Sequence, residues 1–232
     1  MMGIAEALQR LNERIHEVCL RVGRDPGEVR LMGASKFHER DALEEAWKGG
    51  LRLFGENRVQ EAERKFSGFK RDHPQVELHM IGSLQRNKAR AAAALFDCIQ
   101  SVDRDELITE LGTLTLERER PLMVLLELHT GEASKAGYPD VEHLFRATER
   151  VLSFPNLKIQ GLMTMAPFTE DKEIIRGSFR ALVSARNQLQ SRFPGRDWSC
   201  LSMGMSNDFE IALEEGATLL RIGTALFGER RP

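Results

Sequence analysis

The stretch VRLMGASKFHERDALEEAWKGGLRLFGEN, residues 29–57, decides the fold. A short apolar run over 29–35 leads into a helical pattern over 39–48. That pattern stops at Gly49-Gly50, and glycine is the usual residue at a helix C-terminus. A second apolar run, LRLF at 51–54, ends at Gly55. Strand, helix, strand in this spacing is a βα unit feeding a parallel neighbour.

The unit repeats along the chain. Asn57 is placed to cap a helix running to about Phe69. ELHMIG (77–82) reads as a strand and QRNKARAAAALF (85–96) as helix. DCIQSV (97–102) is a strand, after which Asp103 is expected to cap a helix to about Leu116. PLMVLLEL (121–128) leads into the loop HTGEASKAGYPD and a helix over 140–152. LKIQGLMTM (157–165) precedes a long helix over 171–192. WSCLSMG (198–204) precedes a helix opened by Asn207 or Asp208 and closed near Glu215. TLLRIG (218–223) is the last strand. Eight βα units in 232 residues predict an α/β fold, a single (β/α)8 TIM-type barrel. Residues 4–22 form an extra N-terminal helix with Ile4, Leu8, Leu11, Ile15 and Val18 on one face. A doubly wound open sheet would carry a glycine-rich turn after its first strand, and SKFHER is no such turn. No linker or low-complexity tract divides the sequence, so 1–232 reads as one domain.

Composition narrows the function classes. The formal net charge is −2, without the basic stripe of a nucleic-acid binder. No apolar run approaches the roughly 20 residues that span a bilayer. The opening MMGIAEALQRLNERIHEV mixes acid and base and does not read as a signal peptide. Cys19, Cys98 and Cys200 are widely spaced and form no CxxC pair, so neither a zinc site nor a disulfide framework is expected. A reducing, cytoplasmic setting follows, and no large exposed apolar face argues against a monomer.

In this fold function sits at the C-terminal ends of the strands. Lys36 directly follows the first strand, where a partly desolvated amine can act as a Schiff-base nucleophile. A solvated lysine just past a strand is the plain alternative. In TLLRIG, Leu219, Arg221 and Gly223 share one face and Leu220 and Ile222 the other. Arg221 therefore points into the barrel, where a guanidinium needs a ligand or an interior carboxylate. Ser206, Gly223 and Thr224 lie in the loops after strands seven and eight, where barrels of this type often hold phosphate; turn chemistry and capping are the alternative. Met203 lies near the same ligand position. Lys135, in the loop after strand five, could hold an anion or simply be solvated. His79 reads as a satisfied core histidine.

Eight blocks then resemble one family from end to end: LMGASK (31–36), FGENRVQE (54–61), HMIGSLQRNK (79–88), SVD (101–103), GEASKAG (131–137), GLMTM (161–165), LSMGMSNDFEIALEEGAT (201–218) and RIGTALFG (221–228). Together they resemble the pyridoxal phosphate homeostasis proteins. The resemblance implies a barrel like the N-terminal domain of alanine racemase. It also implies pyridoxal 5′-phosphate held as an internal aldimine on Lys36. Asn57, Met203, Ser206, Gly223 and Thr224 would surround ring and phosphate, and Arg221 would face the pyridine nitrogen. The implied role is carrier or regulator of vitamin B6 rather than enzyme, with pyridoxal-phosphate-dependent apo-enzymes as partners. A weak amino-acid racemase and a cofactor-free interaction barrel are the rivals. Racemases of the alanine type add a C-terminal β domain and use a tyrosine as second base. Here the last strand lies close to the end of the sequence, and the only tyrosine, Tyr138, falls in a loop expected to face solvent. The sequence departs from the family pattern at Phe37, His38, Glu39, Ser83 and His129-Thr130, none of them an expected cofactor contact.

Overall fold

The computed structural model describes residues 3–116, 118–131 and 136–229. Lys135 lies outside them, with residues 132–134 before it. Eight parallel strands close into a barrel in sequence order. They are β1 (Arg30–Ala34), β2 (Leu53–Glu56), β3 (Glu77–Met80), β4 (Cys98–Val102), β5 (Leu122–Glu127), β6 (Leu157–Met163), β7 (Cys200–Ser202) and β8 (Leu219–Ile222). Closure is direct: β8 pairs with β1, with Met32 opposite Arg221.

The helices pack outside. They are α1 (Ile4–Arg21), α2 (Arg40–Lys48), α3 (Val59–Asp72), α4 (Ala89–Leu95), α5 (Asp105–Leu114), α6 (Val141–Leu152), α7 (Lys172–Arg192), α8 (Phe209–Glu214) and α9 (Thr224–Phe227). The N-terminal helix α1 packs on α2, α8 and α9. Helix α9 is a single turn, so α1 supplies the apolar surface that closes the outer ring. It buries Ala7, Leu8, Leu11, Ile15, Val18 and Cys19, and Arg14 pins it to Glu210 of α8 at 2.8 Å.

Strand alternation sorts side chains into two environments. Leu220, Ile222, Leu201 and Phe54 join the large core between barrel and helices. The barrel interior holds two small apolar clusters instead. One is Met32, Leu53 and Leu219; the other is Cys98, Leu125 and Met163.

Two expected caps are placed differently, and a third stands in place without bonding the helix. Helix α3 begins after Arg58 rather than Asn57, with no side-chain cap. Residue 57 is held by the strand end: a Cβ at Gly82 would stand 2.4 Å from the Asn57 carbonyl oxygen. Helix α5 begins after Arg104, not Asp103, because the Asp103 carboxylate is taken by the Arg104 guanidinium at 2.5 Å. Asp208 does precede α8, but its carboxylate accepts the Met205 N–H at 2.5 Å and leaves the helix uncapped. Asp140 and Asp171, by contrast, do cap α6 and α7.

Candidate functional site

Lys36 follows β1 by two residues and is half-buried. The chain reverses there: Phe37 takes φ 68°, the one described non-glycine residue in the left-handed region. Its neighbour His38 stacks on Phe227 of α9 at 4.9 Å. The loop after β1 thus packs on α9, which follows β8.

Arg221 points inward and is 4% exposed. Its Nη1 donates to Ser202 Oγ at 2.6 Å and its Nη2 to the Thr164 carbonyl at 2.8 Å. Both partners are neutral, so no described carboxylate pairs with it directly. Those are two of the five N–H donors that a guanidinium carries. Burial lowers the guanidinium below its ordinary range, against the field of Glu127.

Ser202 does not end the chain of bonds. Its hydroxyl donates to Gln100 Oε1 at 2.6 Å, and Gln100 Nε2 donates to His79 Nδ1 at 2.8 Å. His79 Nε2 then meets Glu77 Oε1 at 2.6 Å, and Arg30 closes the column at the other end of the barrel. The partners fix the polarity: Nδ1 of His79 accepts, so its Nε2–H donates. His79 is therefore the satisfied interior histidine the sequence suggested. Burial pushes the Glu77 carboxyl up, but His79 and Arg30 overcome it and hold the group down at about 2.

The loops after β7 and β8 meet. Ser206 Oγ accepts the Ala225 N–H at 3.1 Å, which ties the loop after β7 to the start of α9. Gly204 allows the first loop its course: it sits at φ +93°, and a Cβ there would stand 2.6 Å from Ala212 Cβ. Gly223 and Thr224 open α9 beside this contact, and Thr224 is exposed. Asn57 is half-buried and borders a recess of about 360 Å³ with Ser83, Gln85 and Lys88.

Met203 stands differently from the others. Its side chain is fully buried in the core between barrel and helices, on the opposite strand face from Ser202. What it can offer a ligand at the mouth is backbone. Tyr138 corrects a second expectation. It is 5% exposed, and its hydroxyl donates to Asp105 at 3.0 Å. An isolated bridge to Leu128 draws the residue down against the end of β5.

Two interior groups escaped the sequence reading. Glu127 ends β5 on the same face as Met123 and Leu125 and is 3% exposed. Burial, reinforced by Asp103, pushes its carboxyl up to about 7, with Arg221 pulling the other way. The alternation that located Arg221 would have located Glu127 in MVLLE. Lys65 and Glu56 are nearly fully buried beneath β1 and β2, paired at 2.6 Å. Glu56 is the last residue of β2, and Lys65 lies on the inward side of α3.

The family model for the alanine racemase N-terminal domain matches residues 7–231. The pyridoxal phosphate homeostasis protein of Aquifex aeolicus is 40% identical over 230 residues, covering 99% of this chain and 100% of its own. The chain belongs to the pyridoxal phosphate homeostasis protein family. Among solved structures, PipY of Synechococcus elongatus was determined with pyridoxal phosphate bound. It superposes with a TM-score of 0.85 at 36% identity, covering 97% of this chain and 100% of that one. The homeostasis family shares its barrel with larger enzymes. Alanine racemase of Bacillus anthracis matches with a TM-score of 0.71 at 14% identity, over 96% of this chain and 56% of the racemase. At that identity the likeness is one of fold. Barrel, strand order and family thus agree with the expectations drawn from the sequence blocks.

Proposed function

We propose that this protein binds pyridoxal 5′-phosphate at the mouth of a single barrel domain and holds it covalently through the Lys36 amine. The observation that carries this reading is Arg221. A buried guanidinium held by two neutral acceptors, which use two of its five donors, suits an unprotonated ring nitrogen. A pyridinium there would be repelled, and an unpaired buried cation is otherwise costly. Ser206, Gly223 and Thr224 supply hydroxyls and backbone amides for the phosphate, and Asn57 and the Met203 backbone border the ring.

The bound cofactor supplies an electrophilic aldehyde and, in catalysts, an electron sink. Arg221 weakens that sink by disfavouring ring protonation. Tyr138 is spent on Asp105, and burial pushes its phenol well above the ordinary range, so it offers no second base. These features favour a carrier or regulator of vitamin B6 over a racemase, with pyridoxal-phosphate-dependent apo-enzymes as recipients. The described residues contain no helix long and apolar enough to cross a membrane. The three cysteines are free thiols, which suits a monomer working in the cytoplasm.

The test is spectroscopic. Titrating the apoprotein with pyridoxal phosphate should produce a visible absorbance band that saturates at one equivalent. The Lys36→Ala variant should show no such band. A parent protein without one would contradict the reading.

A further inference from the structure

The backbone on both sides of Lys36 is gripped by one buried ionic cluster. Lys65, on α3, is 1% exposed at its side chain. Its ammonium has three donors, and all are used. It donates to Glu56 Oε1 at 2.6 Å, to Glu61 Oε1 at 2.9 Å and to the Ser35 carbonyl at 2.8 Å. Ser35 Oγ adds a second tie, donating to Glu56 Oε1 at 2.6 Å. On the far side of Lys36, the Phe37 N–H donates to Glu61 Oε1 at 2.6 Å. Glu61 and Lys65 stand one turn apart on α3, in the favourable Glu-before-Lys order.

Such a cluster is costly to bury, and apolar residues of similar volume usually stabilise a fold as well. Here the cost is not fully recovered even locally: Glu56 Oε2 is buried without a partner. Meanwhile Phe37 holds φ 68°, a conformation that glycine adopts freely and an aromatic residue does not. Strained backbone of this kind persists where the surroundings over-determine it, and it gathers at functional sites. Three ionic side chains converge on two residues, Ser35 and Phe37, and the residue between them is Lys36.

We infer that Glu61, Lys65 and Glu56 are positioning residues for Lys36. They lock the Ser35 carbonyl and the left-handed turn at Phe37, so that the lysine stem leaves β1 in one direction, toward the mouth. This inference rests on the reading of Lys36 as the cofactor-bearing residue.

The experiment compares four variants by visible absorbance during cofactor titration and by thermal unfolding of the apoprotein. Glu61→Gln keeps an acceptor for the Phe37 N–H and should bind nearly as the parent does. Glu61→Ala should weaken binding by about tenfold, the effect of losing one charge-assisted hydrogen bond, and should slow growth of the band. Phe37→Pro, at an exposed position, removes the same hydrogen bond and forbids φ 68° while leaving the ionic cluster intact. It should reproduce the Glu61→Ala loss without a matching fall in melting temperature. Lys36→Ala is the reference. If it abolishes the band while Phe37→Pro binds as the parent, the positioning role is wrong and the reading of Lys36 stands. If Lys36→Ala keeps the band, the reading itself has failed. Loss in Glu61→Ala that only tracks its melting temperature, with Phe37→Pro unaffected, would make the cluster structural and overturn the inference.

Discussion

Arg221 donates to Ser202 across 2.6 Å, and Ser202 passes the bond on to Gln100 at the same length. The hydroxyl can do this because it accepts and donates at once. Through His79 and Glu77 the mouth of the barrel is joined to its opposite end by side chains that all point the same way along the bond chain. A buried network of this sort is stabilising only while each member keeps its partner.

Gln100→Leu should therefore cost about 1–3 kcal/mol, the usual penalty for stranding buried polar partners. Ser202 and His79 would both lose a bond. Ser202→Ala should cost a similar amount, and the double variant less than the sum, since both break one chain. Urea denaturation of the four proteins gives the coupling; strict additivity would show that the column is not a unit.

Replacing Ser206 and Thr224 together with alanine should weaken pyridoxal phosphate binding about tenfold or more, by loss of charge-assisted bonds. Unphosphorylated pyridoxal should bind the parent and the variant alike, and the parent more weakly than the phosphate does. Ser206 contributes twice, since its Oγ also holds the Ala225 N–H. Equal affinity of the parent for the two aldehydes would remove the phosphate site.

Racemisation needs an acid–base group on each face of the bound amino acid. With Tyr138 buried and bonded to Asp105, the loaded protein should interconvert L- and D-alanine far below about 1 s⁻¹, the lower end of ordinary turnover. Chiral chromatography measures this. Turnover at that rate, lost in Lys36→Ala, would promote the enzyme reading.

The Glu127 carboxyl is raised from its ordinary 4.5 to about 7 in the folded protein. The folded state then holds the proton more tightly than the unfolded one. Stability from this group is present below pH about 4.5 and is lost as pH rises toward about 7. Glu127→Gln should remove that slope. Above pH 7.5 or so the variant apoprotein should exceed the parent by about 1–3 kcal/mol, the size expected for a shift of this order. Parallel stability curves from pH 4 to 8 would contradict the placement of Glu127.

The barrel was legible because strand and helix periods alternate without interruption from residue 29 onward. Arg221 was legible for a related reason: one residue of an apolar strand has the wrong polarity for its face. Asn57 and Asp103 misled because a capping residue type is a local signal, and Gly82 and Arg104 claim those positions through contacts distant in sequence or stronger than the cap. Tyr138 misled because its loop folds back on β5, which no periodicity encodes. Glu61 and Lys65 look like ordinary charges on a helix face until α3 is laid against β1 and the end of β2, where Glu56 stands.

The most direct measurement is borohydride reduction of the cofactor-loaded protein, followed by peptide mass spectrometry. The expected result is a pyridoxyl phosphate group on the peptide containing Lys36, at about one per chain, and none in Lys36→Ala. A label carried reproducibly by Lys135 or another lysine, with Lys36 unmodified, would contradict the site.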